Sequence, residues 1–191
     1  AILASVAFNS RVTLDNVQIE GITKITAKDI RYAKEMGCEI KLLGVARCQE
    51  NGVEAYVCPM LIPAEHPLAS VNDSYNAVFV HGDAVGDTMF YGRGAGELPT
   101  ASAVVGDIFE VVRNMKADCC GRVGCTCYKT LPVKAMADTH NRYFLRLQVE
   151  DRCGVLAEIL EHFAKYQASV AQIMQKESKR PDTAEVVVIT K

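Results

Sequence analysis

The chain has 191 residues, 49% of them apolar, with 21 basic against 23 acidic side chains and a net charge of −2. That length and apolar content suit one domain or two small ones, and no run approaches the roughly 18 apolar residues of a membrane helix. With a pI of about 6.1 the chain lacks the basic stripe that a phosphate backbone needs, so neither nucleic acid nor a membrane is an expected partner.

In chain order, AILASVAF is apolar and helix-compatible; it lacks the basic flank and cleavage pattern of a secretory signal and reads like the inside of a helix whose first turns are missing. ITAKDIRYAKEMG predicts a helix, with Thr26 as N-cap, Asp29 three residues on and Gly37 as the stop. By helix position Lys24, Lys28 and Asp29 are expected to be exposed and solvated. EIKLLGVARCQ and VEAYVCPMLI predict two strands joined by a hairpin turn at Asn51-Gly52. NAVFVHGD and DTMFY predict two more, separated by a turn containing Gly86. A glycine-dense loop then opens onto a helix that places Ala101, Val104, Val105, Ile108 and Val112 on one face. The expected class is α+β, a largely antiparallel sheet covered by helices.

Residues 117–140 carry short apolar runs without a sustained period and read as a linker. A second unit follows: YFLRLQVED as strand, GVLAEILEHFAKY as helix with Val155, Leu156, Ile159, Leu160 and Phe163 inward, then SVAQIMQKE and TAEVVVITK as strands. This β-α-β-β order would become a ferredoxin-like βαββαβ sandwich with one more helix and strand. The expectation is therefore that both ends of the chain are cut.

Two junctions attract ligands. Gly92, Gly94 and Gly96 remove side chains where the backbone turns tightly or lets a ligand approach, and the free N–H groups of the next helix point into that space. The loop either lines a ligand site formed with another domain or is a turn before a buried helix. It is not a dinucleotide fingerprint: G-x-G-x-x-G needs a glycine where Glu97 stands, and Glu97 would oppose a pyrophosphate. At the second junction Asp151 is expected to cap the helix, while Gly154 leaves N–H groups open to a small carboxylate. An amino-acid sensor and ordinary capping are the two readings.

The eight cysteines fit a reducing cytoplasm. Cys119, Cys120, Cys125 and Cys127 crowd nine residues, but their spacing departs from the usual zinc pairs, so they read as free thiols and no metal is expected. His66, between Glu65 and Pro67, either touches substrate or closes its loop; His81, His140 and His162 share no ligand spacing.

AILASVAFNSRV, EGITKITAKDIRYAKEMG, the long block IPAEHPLASVNDSYNAVFVHGDAVGDTMFYGRGAGELPTASAVVGDI, and YFLRLQVEDRCGVLAEILEHFAKY resemble homoserine dehydrogenase across nearly all of the chain. The resemblance implies a substrate-binding and dimerisation domain over 1–118, a linker over 119–141, and an ACT regulatory domain over 142–191, with a Rossmann domain, an acid-rich substrate segment and an essential lysine ahead of residue 1. It implies reversible NAD- or NADP-dependent reduction of L-aspartate 4-semialdehyde to L-homoserine, on the route to threonine and methionine, in a cytoplasmic homo-oligomer (dimer or tetramer). Gly94, Ala95, Gly96, Glu97 and Thr100 match the family loop at the nicotinamide end of the cofactor, with Ala101 following. Asp151, Gly154, Val155 and Leu156 match the ACT turn where threonine would act. His66 falls in the family's HPL segment without a catalytic role, and no catalytic residue is carried over. The resemblance implies an inactive piece of that enzyme; the alternative is a regulatory amino-acid-binding module joined to a non-enzymatic partner domain.

Overall fold

A computed structural model describes residues 1–119, 121, 124–178 and 180–191. Its elements in chain order are α1 (Ile2–Phe8), β1 (Gln18–Ile19), α2 (Ala27–Glu35), β2 (Cys38–Gln49), β3 (Gly52–Pro63), β4 (Tyr75–Gly82), β5 (Gly86–Arg93), α3 (Glu97–Lys116), β6 (Phe144–Glu150), α4 (Val155–Lys165), β7 (Val170–Glu177) and β8 (Thr183–Thr190), with short 3-10 turns between some of them. The class is α+β. Two compact units form, and they do not follow the linear order of the chain. The first takes residues 1–22 and 37–134; the second takes 23–36 and 135–191.

In the first unit β2 and β3 pair antiparallel along their whole length, from Cys38 opposite Pro63 to Gln49 opposite Gly52. Their loop is therefore Glu50-Asn51, one residue earlier than the Asn-Gly signal predicts. Gly52 has φ 133°, and a side chain there would collide with the carbonyl of Pro132. The glycine serves a packed strap rather than the turn itself. β1 joins the other side of β3 in parallel, giving the order β1-β3-β2.

That strap is the second half of the predicted linker. Val53 N–H donates to Pro132 O at 2.8 Å, and Lys134 N–H donates to Val53 O at 2.9 Å. Leu131 and Val133 pack with Phe8 and Val17 against the buried Ala4, Val12, Val53 and Ala55. Lys134 Nζ reaches Glu54 at 3.4 Å and Gln49 Oε1 at 2.7 Å, which pairs a carboxylate only 3% exposed. Apolar contact and a satisfied buried charge hold a segment that has no sequence period.

β4 and β5 form a separate two-stranded antiparallel ribbon rather than extending the first sheet. The ribbon leads into α3, on which no residue is buried. Val104, Val105, Ile108 and Val112 share an apolar stripe as predicted, yet each is at least 43% exposed.

The second unit has the predicted β-α-β-β order, arranged as a β6-β8-β7 antiparallel sheet. β8 is its centre, and Ala184 to Val188 are buried without a break. On α4, Val155, Leu156, Ile159 and Phe163 are half-buried, whereas Leu160 is left 41% exposed.

α2 belongs to this unit, and here the expectation of solvated Lys28 and Asp29 fails. Asp29 is buried and accepts from Arg146 Nε at 2.6 Å, and it closes a reciprocal capping box with Thr26. Lys28 Nζ and Tyr32 Oη donate to the buried Glu185 carboxylate at 2.6 and 2.5 Å. Burial pushes the Asp29 carboxyl up, but the Thr26 hydroxyl and N–H and the Arg146 guanidinium outweigh it and hold it below its usual range.

Candidate functional site

The glycine loop begins where β5 ends. Gly94 N–H donates to Ser74 O at 3.4 Å, and a side chain on Gly94 would run into that of Asn76. A side chain on Gly94 would therefore require the exposed Asn76 side chain to swing aside. Gly96 is the N-cap of α3 with φ 129°, a conformation that other residues avoid, and its carbonyl accepts from Thr100 N–H at 3.1 Å.

Along the first two turns of α3 runs an open groove of about 590 Å³ lined by Gly96, Glu97, Thr100, Ala101, Val104 and Val105. Of the five residues expected around a cofactor, Gly96, Glu97 and Thr100 share this groove, while Gly94 and Ala95 precede it in the chain and are not in its lining. The lining offers one carboxylate, one hydroxyl and an apolar floor. A carboxylate in the first helical turn suits the helix dipole and repels a phosphate. The groove therefore suits an uncharged or cationic group better than an anion.

An aromatic wall on the ribbon escaped the sequence reading. Tyr75 and Tyr91 stack with ring centroids 4.9 Å apart and planes 1° off parallel; the Arg93 guanidinium lies 4.9 Å from the Tyr75 ring and bonds Ser74 Oγ at 3.1 Å. The signal was present: in this register Tyr75 is opposite Arg93 and Ala77 opposite Tyr91, so the two tyrosines are diagonal neighbours on one face.

His66 closes its loop. Its Nδ1 accepts from Leu68 N–H at 3.1 Å, and its ring packs on Phe79 with centroids 5.0 Å apart. At the far end of the ribbon His81 pairs with its cross-strand neighbour Asp87 at 2.6 Å, in water; the Asp87 carboxylate raises the imidazole above its usual pKa.

In the second unit Asp151 does not cap α4. Its backbone N–H donates to Asp182 O at 3.1 Å, and the N-cap is Gly154, with φ 92° and no side-chain cap. The helix begins one residue later than a first-turn glycine would require. Open space surrounds the Gly154 Cα, Asp151 and Gly154 are exposed, and Val155 and Leu156 are half-buried beneath them. Arg152, which the sequence reading passed over, grips Glu158 with two bonds of 2.9 and 2.7 Å and Glu150 at 3.2 Å. Its hydrogen bonds to Glu158 hold the Glu158 carboxyl below its usual range. The turn is braced by charge, with bare N–H groups beside it.

Of the crowded cysteines, Cys119 and Cys125 are exposed and Cys127 is half-buried, whereas Cys120 lies outside the described residues. Among the described residues no three His, Cys, Asp or Glu side chains converge as a metal site would require. Nor is any helix among them long and apolar enough to cross a membrane.

A family model described as homoserine dehydrogenase matches residues 1–109. The homoserine dehydrogenase of Corynebacterium glutamicum is 46% identical over all of this chain and 43% of its own length; that of Bacillus subtilis is 40% identical over all of this chain and 44% of its own. Among solved structures, the homoserine dehydrogenase from Thiobacillus denitrificans superposes with a TM-score of 0.90 at 40% identity, covering the whole chain and 44% of that protein. The S. aureus homoserine dehydrogenase at pH6.0 gives 0.67 at 30% identity, over 99% of this chain and 45% of that one. The chain thus spans less than half the length of the relatives it matches.

Proposed function

Because the chain belongs to the homoserine dehydrogenase family, we propose that it supplies the substrate-side platform and a regulatory unit of an NAD- or NADP-dependent enzyme that interconverts L-homoserine and L-aspartate 4-semialdehyde. The observation that carries this reading is the groove along α3, which pairs a bare Gly96 backbone with Glu97 and Thr100 over an apolar floor.

These residues suit the nicotinamide end of a dinucleotide. Gly96 leaves room for a flat ring against the backbone, Thr100 offers a hydroxyl, and Glu97 accepts from an amide N–H while turning phosphates away. Ala101, Val104 and Val105 offer an exposed apolar face that a bound ring would cover. When bound, the nicotinamide supplies hydride transfer. Gly94 and Ala95 set the loop that presents Gly96, and the tyrosine stack stiffens the ribbon behind it.

The test is Gly96→Ala in the full-length enzyme. A methyl at φ 129° strains the loop and presses toward Pro99, so kcat/KM should fall by roughly 10–100-fold, as misplacement of a reacting group does. Titration of the dinucleotide by fluorescence should weaken in parallel. Unchanged cofactor binding and turnover would remove the loop from the site.

The βαββ unit is read as an ACT domain whose Asp151–Leu156 turn receives threonine, the α-carboxylate on the bare N–H groups at Gly154. Isothermal calorimetry of the full-length protein should register threonine binding that weakens in Gly154→Val; absence of any binding heat at saturating threonine would end that assignment. The edge positions of β2 and β7 in their sheets, among the described residues, support self-association as a dimer or tetramer, to be read by light scattering. We place the enzyme in the cytoplasm, where its cysteines would stay reduced.

A further inference from the structure

Helix α2 spends its polar side chains on a single sheet. Only 9 residues long, it reaches every strand of the second unit. Asp29 accepts from Arg146 of β6 at 2.6 Å, Lys28 and Tyr32 donate to Glu185 of β8 at 2.6 and 2.5 Å, and Glu35 pairs with Lys176 of β7 at 2.7 Å. The strand register puts these three partners on one face. Gln148 and Lys176 stand opposite Glu185, while Arg146 and Met174 stand opposite Val187, the next residue of β8 on that side. On the helix, Lys28, Tyr32 and Glu35 recur at the spacing that stacks side chains along one stripe.

Two of these strands run directly to the turn read above as the threonine site. β6 ends at Glu150, next to Asp151, and the Asp151 N–H donates at 3.1 Å to the carbonyl of Asp182, next to the first residue of β8. Arg146 and Glu185 thus lie a few residues along the two strands that this bond ties together. At its other end α2 stops at Glu35, and Met36 and Gly37 alone separate it from β2 of the first unit. Met36 N–H donates back to Tyr32 O and Ala33 O at 3.1 Å, Gly37 turns the chain at φ 73°, and the Gly37 carbonyl accepts from Ala64 N–H at 2.9 Å. So short and well bonded a connection leaves no slack between the helix and the start of β2.

Resting on the reading of that turn as a threonine site, we propose that α2 is the relay by which an amino acid bound there acts on the first unit. Lys28, Asp29 and Tyr32 are its positioning residues. The Asp29 and Glu185 carboxylates are both buried, so sliding the helix along the sheet would strand a charge away from water. α2 therefore keeps its register on β6 and β8 and follows them when a ligand at the Asp151–Leu156 turn orders their ends. The motion leaves the second unit through Met36 and Gly37 and enters β2.

The test uses the full-length enzyme with L-threonine as the probe. Calorimetry reports binding, and steady-state homoserine oxidation with and without saturating threonine reports coupling. In the unsubstituted enzyme threonine should bind and slow oxidation by roughly 5–150-fold, the usual span of coupling between two sites. In Lys28→Met threonine should still bind, yet change the rate by less than roughly 2-fold, while the rate without threonine stays that of the unsubstituted enzyme. Lys28→Arg, which returns a cation to Glu185, should recover the inhibition. A merely structural role for Lys28 would lower both rates alike. Hydrogen exchange needs no variant: threonine should slow the amides of α2 by roughly 10-fold or more as it orders the strands that the helix grips. No binding heat in the unsubstituted enzyme would remove the threonine site and the relay with it. Binding without inhibition there, full inhibition kept in Lys28→Met, or α2 exchange indifferent to bound threonine would overturn the relay and leave the site standing. Loss of threonine binding in Lys28→Met would make α2 part of the site itself and overturn the relay as well.

Discussion

The carboxylate of Glu185 sits in the middle strand of a sheet and is only 4% exposed. What makes that tolerable is contact with Lys28 at 2.6 Å, Tyr32 at 2.5 Å and Arg146 at 4.0 Å. The Lys28 and Tyr32 bonds hold Glu185 below the usual carboxylate range, against the opposing effect of burial. A carboxylate with a depressed folded pKa stabilises the fold above its unfolded pKa, and that contribution is lost as the pH falls through the folded value. Glu185→Gln should therefore cost on the order of 2–3 kcal/mol near neutral pH, less than a fully buried pair because Lys28 and Arg146 each keep a third of their side chains in water. Urea midpoints measured from neutral to acid pH should fall less steeply in the variant. Parallel acid slopes in the two proteins would show that Glu185 carries no such charge-linked stability.

At the scale of elements, local chemistry was legible and distant pairing was not. The Thr26–Asp29 capping box, the β2–β3 and β4–β5 hairpins, the glycine-to-α3 junction and the βαββ order all follow from residues close together in sequence. The place of α2 does not. It depends on Lys28 and Tyr32 meeting Glu185, and Asp29 meeting Arg146, across 117 to 157 positions; the charges are visible in the sequence, the partners are not. The strap is a similar case, since its backbone bonds to Val53 leave no side-chain period. At the candidate site the loop glycines and Glu97 stood out by composition, whereas the Tyr75–Tyr91 stack depended on strand register. Gly52→Ala tests the strap. A methyl facing the Pro132 carbonyl should cost about 2–3 kcal/mol through strain and a lost backbone bond. Hydrogen exchange at Val53 and Lys134 should quicken together. Retained protection at both amides would show that the strap is held by its side chains alone.

For the whole molecule, the decisive quantity is share of length. The chain covers 43–45% of its relatives, and among the described residues Glu97 is the one ionisable side chain lining the α3 groove. One carboxylate and one wall are insufficient to hold a dinucleotide and move a proton. The 191 residues alone should show no homoserine oxidation in a steady-state assay, and turnover at the rate of a complete relative would refute this. α3 points the same way: a helix of 20 residues with Leu98 at 82% and Met115 at 74% exposure keeps more apolar surface in water than a self-sufficient fold favours.

The route of the backbone has a practical consequence for dissection. It passes from one unit to the other three times, at 22–23, 36–37 and 134–135. No single cut therefore yields two intact halves. A piece ending at 134 would carry Tyr32 and Asp29 on an orphaned amphipathic helix, and a piece starting at 135 would carry Glu185 stripped of Lys28 and of the tyrosine hydroxyl. Transplanting the second unit onto another protein would require grafting two stretches at once, and a chimera built from the tail alone should misfold or aggregate.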